Sequence, residues 1–198
     1  YLFTGLKSNN KQYRIKALDL ARNLPGEKLT LQWVKKAGQL ADQSKAEVID
    51  MLGERGDKLA LPFIRQALTD QNETVRLAAI SALPMLGKDY AIPDLLAVMK
   101  KGNPAEINAV KTQLLSCSIN TLVPSIANEL PAMPAQAKTA IMEILASRKS
   151  KENVDLVLKE SDSQDPAVRL AALTALPDLV SRKDVDKLYD LLRRVKLP

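Results

Sequence analysis

The chain has 198 residues, of which 46% are apolar and 4% aromatic, with seven glycines and a net charge of +6. That balance suits packed helices better than sheets or disorder. It contains no histidine and one cysteine, Cys117, which removes Ser–His and Cys–His nucleophile systems, most transition-metal sites and any internal disulfide. No apolar run approaches the roughly 20 residues that span a bilayer, and the N-terminus lacks a charged-then-apolar leader.

In chain order, residues 1–7 read as the tail of a second helix, since Leu2, Phe3 and Leu6 fall on the columns of Leu95, Leu96 and Met99. Six helical hairpins are then predicted over 8–41, 42–70, 71–101, 102–132, 133–162 and 163–198. The ruler is the segment Val75-Arg76-Leu77-Ala78-Ala79-Ile80-Ser81-Ala82-Leu83-Pro84, rewritten 93 residues later from Val168 to Pro177. Self-similarity at a third of that interval marks a solenoid. With Arg76 as reference, equivalent positions are Arg14, Lys45, Arg76, Asn108, Lys138 and Arg169, at steps of 31, 31, 32, 30 and 31.

The first helix of each unit carries Leu18, Ile49, Ile80, Thr112, Met142 and Leu173 in one column, where Thr112 breaks the pattern. The second helix carries Leu61, Ile92, Val123, Val154 and Val185, with Ile64, Leu95, Ile126, Val157 and Leu188 three residues on. Each set gives one apolar stripe. Asn72 and Asp165 read as helix caps, Gly56 and Gly87 as left-handed stops, and Pro84 and Pro177 as points where the first helix kinks or ends early. Trp33 aligns with the core column of Ile64 and Leu95. The stripe persists through Leu188, Leu191 and Leu192 without a polar final face, so the chain reads as a piece of a longer protein.

A helical pair of this length, opened by a polar turn and then Val-Arg-x-Ala-Ala-x-x-Ala-Leu, resembles HEAT repeats of the short, phycobilisome-lyase-like class. The resemblance is strongest over 70–100 and 165–195. It implies an all-α fold, an α-solenoid of about six HEAT-like hairpins wound as a right-handed α–α superhelix, with the second helices on the concave side. It also implies that Arg14, Arg76 and Arg169 tie neighbouring repeats through the inter-repeat turn, with Lys45 and Lys138 as weaker counterparts and no counterpart at Asn108.

Chemistry-bearing motifs are sparse. Asp184, Asp186 and Asp190 alternate with Arg182, Lys183 and Lys187 as on a solvated helix face. Arg55-Gly56-Asp57 matches an adhesion tripeptide, and Asn72-Glu73-Thr74 a glycosylation sequon, at positions the repeat register already explains. Cys117 has no local cation in sequence to make it reactive. No catalytic residue, metal or cofactor is expected.

The positive surplus is uneven: residues 1–50 hold nine basic and five acidic groups, whereas 151–198 hold nine of each. Three columns of the second helices are predicted to face solvent. They are Lys35, Gln66, Ala97, Asn128, Lys159 and Asp190; Lys36, Ala67, Val98, Glu129, Glu160 and Leu191; and Gln32, Phe63, Asp94, Ser125, Leu156 and Lys187. None is a continuous basic stripe with aromatics, which argues against a nucleic-acid groove. Phe63, Val98, Leu156 and Leu191 form an apolar patch for a partner, or else a column displaced by one residue. The expectation is a non-catalytic module, monomeric or resting on flanking domains, that binds a protein or peptide through Lys35, Phe63, Gln66, Asp94, Val98, Asn128, Leu156, Lys159 and Lys187. The alternatives are a nucleic-acid-binding, glycosylase-like protein and a bilin-lyase-like or chaperone activity. The sequence leaves open a cytoplasmic or, after leader removal, periplasmic or secreted location.

Overall fold

The computed structural model describes residues 2–6, 8, 10–24 and 26–194. Its elements are helices α1 (Leu2–Gly5), α2 (Lys11–Asn23), α3 (Glu27–Ala37), α4 (Asp42–Arg55), α5 (Leu61–Ala67), α6 (Glu73–Gly87), α7 (Ile92–Lys101), α8 (Pro104–Ser116), α9 (Leu122–Glu129), α10 (Ala135–Ser147), α11 (Val154–Glu160), α12 (Pro166–Leu179) and α13 (Val185–Arg194). Short 3-10 turns lead into several second helices, at Lys58–Ala60, Lys88–Ala91, Lys151–Asn153 and Arg182–Asp184. The fold is an all-α solenoid of helical hairpins, with no strand among the described residues. Of the segment expected as the tail of an earlier repeat, α1 is described, while Tyr1 and Lys7 lie outside the described residues.

The helix starts keep strict time. The residues that cap the first helices are Asn10, Ala41, Asn72, Asn103, Pro134 and Asp165, one every 31 residues. Asn10, Asn72 and Asp165 accept a hydrogen bond from a first-turn amide, and Asn103 closes a capping box with Glu106. Each side chain thereby satisfies a donor that the helix leaves orphaned. This even step corrects the fourth repeat. Ile107, not Asn108, stands on the column of Arg76, and Lys111, not Thr112, interrupts the apolar stripe. Thr112 is simply solvent-facing, while Val110 and Leu114 supply the buried face of α8.

Two turn positions also differ from expectation. Gly56 caps α4 in the left-handed region at φ 74°, as expected, but Gly87 closes α6 at φ −93° and the positive φ, 46°, passes to Lys88. Helix α6 runs past Pro84 to Gly87, and α12 past Pro177 to Leu179. Proline removes one amide donor to the preceding turn, yet α6, packed on α4 and α5, and α12, packed on α10 and α11, both stay helical beyond it.

The chain forms two compact units, Tyr1–Val98 and Met99–Pro198. In the first, α4 packs between α2 and α6, and the core is Trp33, Ile49, Met51, Leu52, Ile64, Ile80, Leu83 and Leu95, all essentially sealed from water. Helices α4 and α6 approach so closely at Gly53 that a Cβ there would lie 2.7 Å from the Ala82 methyl. In the second unit α10 packs between α8 and α12 around Leu114, Ile141, Met142, Leu145, Leu176 and Leu179. Burying such stripes is the dominant favourable term, about 1.5–3 kcal/mol per large aliphatic side chain.

The apolar columns open to water at α12 and α13. Leu173 is 37% exposed where Met142, on the same column, is fully buried, and Leu192 is 64% exposed where Leu130 is fully buried. No described helix covers that side. The column beginning at Lys36 also differs from expectation: Ala67, Glu160 and Leu191 are buried, so Leu191 belongs to the core and not to an exposed patch. Its neighbour holds throughout, with Lys35, Gln66, Ala97, Asn128, Lys159 and Asp190 all exposed.

Candidate functional site

An open concavity lies wholly in the first unit, between the second helices α3 and α5 and the turns that follow them. It encloses about 750 Å³ and is lined by Val34, Lys35 and Gly38, by Asp42 and Lys45, by Phe63, Gln66 and Ala67, and by the turn 69–72. The register explains the placement. Successive repeats set α3 and α5 side by side, so residues 31 apart in sequence, Lys35 and Gln66, become neighbours on one surface. Phe63 and Val34 are half-buried and give the groove apolar walls, whereas Lys35 and Gln66 reach into solvent.

Its floor is a hydrogen-bonded network. The Lys45 ammonium donates to the Asp70 carboxylate, which also accepts from the Asn72 amide at 2.9 Å. These hydrogen bonds, Lys45 first, hold the Asp70 carboxyl below the usual carboxylate range. Asp42 accepts from the Asn72 side-chain amide at 2.7 Å. Below this layer Arg76 donates to the carbonyls of Asp70 and Gln71 at 2.8 and 2.9 Å.

The same grip recurs at Arg169, on the carbonyls of Ser163 and Gln164 at 2.7 and 3.0 Å, and at Arg14, on the Ser8 carbonyl at 3.0 Å. Arg14 adds a two-pronged pair with Glu47. Where the column carries lysine the contact changes in kind, because a single ammonium cannot fork across two carbonyls. Lys45 takes Asp70, and Lys138 takes Glu160 at 2.7 Å.

The remaining sequence-predicted surface residues divide. Asp94 accepts from Arg65 at 2.8 Å, and Lys187 donates to Asp155 at 2.5 Å while also meeting Asp184 at 3.2 Å. Both are therefore engaged in ion pairs. Val98 and Leu156 are half-buried, and Asn128 and Lys159 are exposed in the second unit, apart from the first-unit groove that brings Lys35, Phe63 and Gln66 together.

Sequence reasoning missed two arginines. Arg55 donates to the carbonyls of Ala21, Leu24 and Gly26 and to the Thr30 hydroxyl, and Arg148 to those of Leu114, Leu115 and Cys117. Each reaches from the end of one first helix to the carbonyl end of the first helix before it, where acceptors lack helical partners, and Arg55 also meets the Gly26 carbonyl, which accepts from the Leu29 amide as well. Their spacing is the 93-residue interval of the repeated segment, a signal that the repeat register carried. The Arg55-Gly56-Asp57 tripeptide is thereby consumed internally, since Asp57 accepts from Thr30 at 2.6 Å and caps the turn at Leu59.

Arg148 also supplies the cation near Cys117 that the local sequence did not show. Even so, burial outweighs it and pushes the thiol up from its ordinary value, away from thiolate reactivity. Trp33 is fully buried and stacks at a tilt against Phe3, ring centroids 4.5 Å apart. Among the described residues no group of three or more His, Cys, Asp or Glu side chains is placed to hold a metal ion, and no helix is long and apolar enough to cross a membrane.

One carboxylate is strained. Asp50 lies on α4 between Glu47 and Glu54, whose own partners on α2 are Arg14 and Arg22. It keeps one side in water, yet packing desolvates its carboxyl, and the two glutamates add to that effect, so it is pushed up to about 6 from 3.8. A raised carboxyl destabilises the fold in its charged form: the cost is absent below about pH 4, accrues as pH rises through about 6, and is complete above. Asp50→Asn is therefore expected to raise the melting temperature at pH 7.5 and to lose that advantage by about pH 4. Melts of both proteins across that range check it, and an Asn variant no more stable at pH 7.5 contradicts it.

Comparison with known proteins agrees with the register. Residues 32–116 match the HEAT repeats family. The chain is an all-α solenoid, and these residues of it are similar to HEAT repeats. No curated protein matches. Similar solved structures include human deoxyhypusine hydroxylase in complex with glycerol (14% identity, 90% of this chain and 94% of that chain covered, TM-score 0.42). Others are the complex of CpcE and CpcF of phycocyanin lyase from Nostoc (18%, 99% and 70%, TM-score 0.42) and a designed armadillo repeat protein (14%, 90% and 98%, TM-score 0.43).

Proposed function

We propose that this chain is a binding module that holds a protein segment on the surface of its second helices, and that the groove of Lys35, Phe63 and Gln66 is the seat. The observation that carries the reading is the contrast between positions that recur from repeat to repeat and positions that vary. Recurring residues, Arg76 and Arg169 among them, spend their hydrogen bonds on the scaffold. The side chains of Lys35, Phe63 and Gln66 line an open concavity and make no hydrogen bond or ion pair among the described residues. A half-buried aromatic flanked by unengaged polar groups is the usual anatomy of a peptide-binding spot. We assign the inter-repeat arginines, Arg14, Arg76 and Arg169, to holding that scaffold.

A random peptide library displayed on phage and selected against the chain tests this. Selected clones are expected to lose at least about tenfold in affinity on Phe63→Ala, since truncating a central aromatic anchor costs more than about 1.4 kcal/mol. They are expected to be unchanged by Leu20→Ser on the far side of α2. Circular dichroism confirms that both variants are folded. Failure to enrich any clone, or clones indifferent to Phe63, overturns the reading. Tight, salt-sensitive binding of duplex DNA would favour a nucleic-acid partner instead.

A further inference from the structure

The charge and apolar lining of the groove narrow the class of peptide it can take, an inference that rests on the binding-module reading. Of the charged side chains that line it, three are already engaged: Lys45 with Asp70, Asp70 also with the Asn72 amide, and Asp42 with the Asn72 side chain. The fourth, Lys35, has no ion pair or hydrogen bond from its side chain among the described residues and stands exposed at the rim. The Asn72 amide is neutral and Asp42 has no cation partner among the described residues, so the groove itself carries one unpaired charge of each sign, Lys35 and Asp42, and the positive excess lies on the Lys35 side.

Lys35 is shared with a second, smaller concavity of about 230 Å³ lined by Phe3, Gln32, Lys35, Lys36 and Gln39. Lys36 likewise enters no ion pair among the described residues. A strip on the first unit thus reads, in order, an aromatic wall at Phe3, two unengaged ammonium groups at Lys35 and Lys36, and a second apolar wall at Phe63 and Val34, with the Gln32, Gln39 and Gln66 amides beside it. The cationic surplus of residues 1–50 is concentrated in part where the two concavities meet, at Lys35 and Lys36.

We infer that the occupant is an acidic peptide segment with apolar side chains on both sides of its carboxylates. The apolar side chains seat against Phe3 and against Phe63 with Val34, the carboxylates lie at Lys35 and Lys36, and the glutamine amides are available to the peptide backbone. A basic segment is repelled by the two ammonium groups. A nucleic-acid strand would satisfy the charge but finds no stacking platforms at successive repeats. Charge placed this way sets selectivity and encounter rate, while the apolar anchors supply most of the affinity.

The test uses the full chain and three fluorescein-labelled octapeptides in anisotropy titrations: Gly-Phe-Asp-Glu-Leu-Asp-Phe-Gly, the same peptide with Asn and Gln for Asp and Glu, and the same with Lys at those positions. The acidic peptide is expected to bind at least about tenfold more tightly than its amide version at low ionic strength, with the advantage shrinking as salt is added. Lys35→Glu is expected to remove that advantage, and Phe63→Ala to weaken both peptides alike. Equal binding of the acidic and amide peptides, tighter binding of the lysine peptide, no detectable binding of the acidic peptide, or an acidic preference that survives in Lys35→Glu overturns the inference. If library clones still depend on Phe63 in that case, the binding-module reading stands and only the charge assignment fails. If neither clones nor octapeptides depend on Phe63, both fail.

Discussion

Leu83→Asp is expected to unfold the first unit outright. Leu83 is fully buried on α6, in the core that also holds Ile49, Leu52, Ile80 and Ile64, and α6 makes the most extensive packing of that unit, against α4. An aspartate there loses about 2–3 kcal/mol of apolar burial and also places a carboxylate in an apolar core. The combined cost exceeds about 4 kcal/mol, a large share of the stability of a domain this size. Trp33, the single tryptophan, lies in the same core, so its fluorescence reports the loss directly. The matched comparison is in the second unit: Leu176→Asp, at 4% exposure, is expected to be as severe, while Leu173→Asp, three residues away at 37%, is expected to cost about 1 kcal/mol or less. Equal effects of the two substitutions would mean that the burial pattern of α12 is wrong.

The second large effect is expected at Arg55 and Arg148. In each case one guanidinium serves carbonyls at the end of the neighbouring first helix, Ala21 and Leu24 for Arg55 and Leu114 and Leu115 for Arg148, where the helix runs out of amides of its own. Removing the side chain leaves half-buried acceptors unpaired, at about 1–3 kcal/mol for the set. Arg55→Ala and Arg148→Ala are therefore each expected to destabilise their own unit by about 2 kcal/mol. Lysine is expected to recover little, because one ammonium cannot span acceptors that a planar fork reaches together. Urea titrations followed by Trp33 for Arg55, and by circular dichroism for both, check this; full rescue by lysine would show that charge alone, not the fork, holds the helix end.

How much of this could be read from sequence depended on how far each residue's signal reaches. Helix caps act within three residues, so Asn72 and Asp165 were legible from their immediate neighbours, and so was the pairing of helices from apolar columns. The fourth repeat was misregistered by one residue because it replaces the column's basic residue with Ile107 and its apolar residue with Lys111. Lys111 stays at the surface by pairing with Glu143 at 2.8 Å. The helix-end arginines act across 29 to 34 residues on backbone carbonyls, and a carbonyl has no letter in a sequence.

The candidate site was legible in part for the same reason. Lys35, Phe63 and Gln66 follow from the register alone, since residues on one column share one surface. Whether a charged residue on such a column is available depends on its neighbour in space. Asp94 and Lys187 looked like Lys35 in the sequence but are taken up by Arg65 and Asp155. The column at Lys36 was displaced by burial of Ala67, Glu160 and Leu191, a small rotation of the second helices that periodicity does not resolve.

The division of labour between a repeating scaffold and an unengaged groove is tested most directly by a two-dimensional amide NMR titration of the labelled chain with the acidic octapeptide. Shift changes are expected to gather at Lys35, Lys36, Phe63, Gln66 and residues 69–72, with α2 and the outer face of α4 unmoved. Changes centred on α2 and α4, or spread evenly over the first unit, would contradict that division.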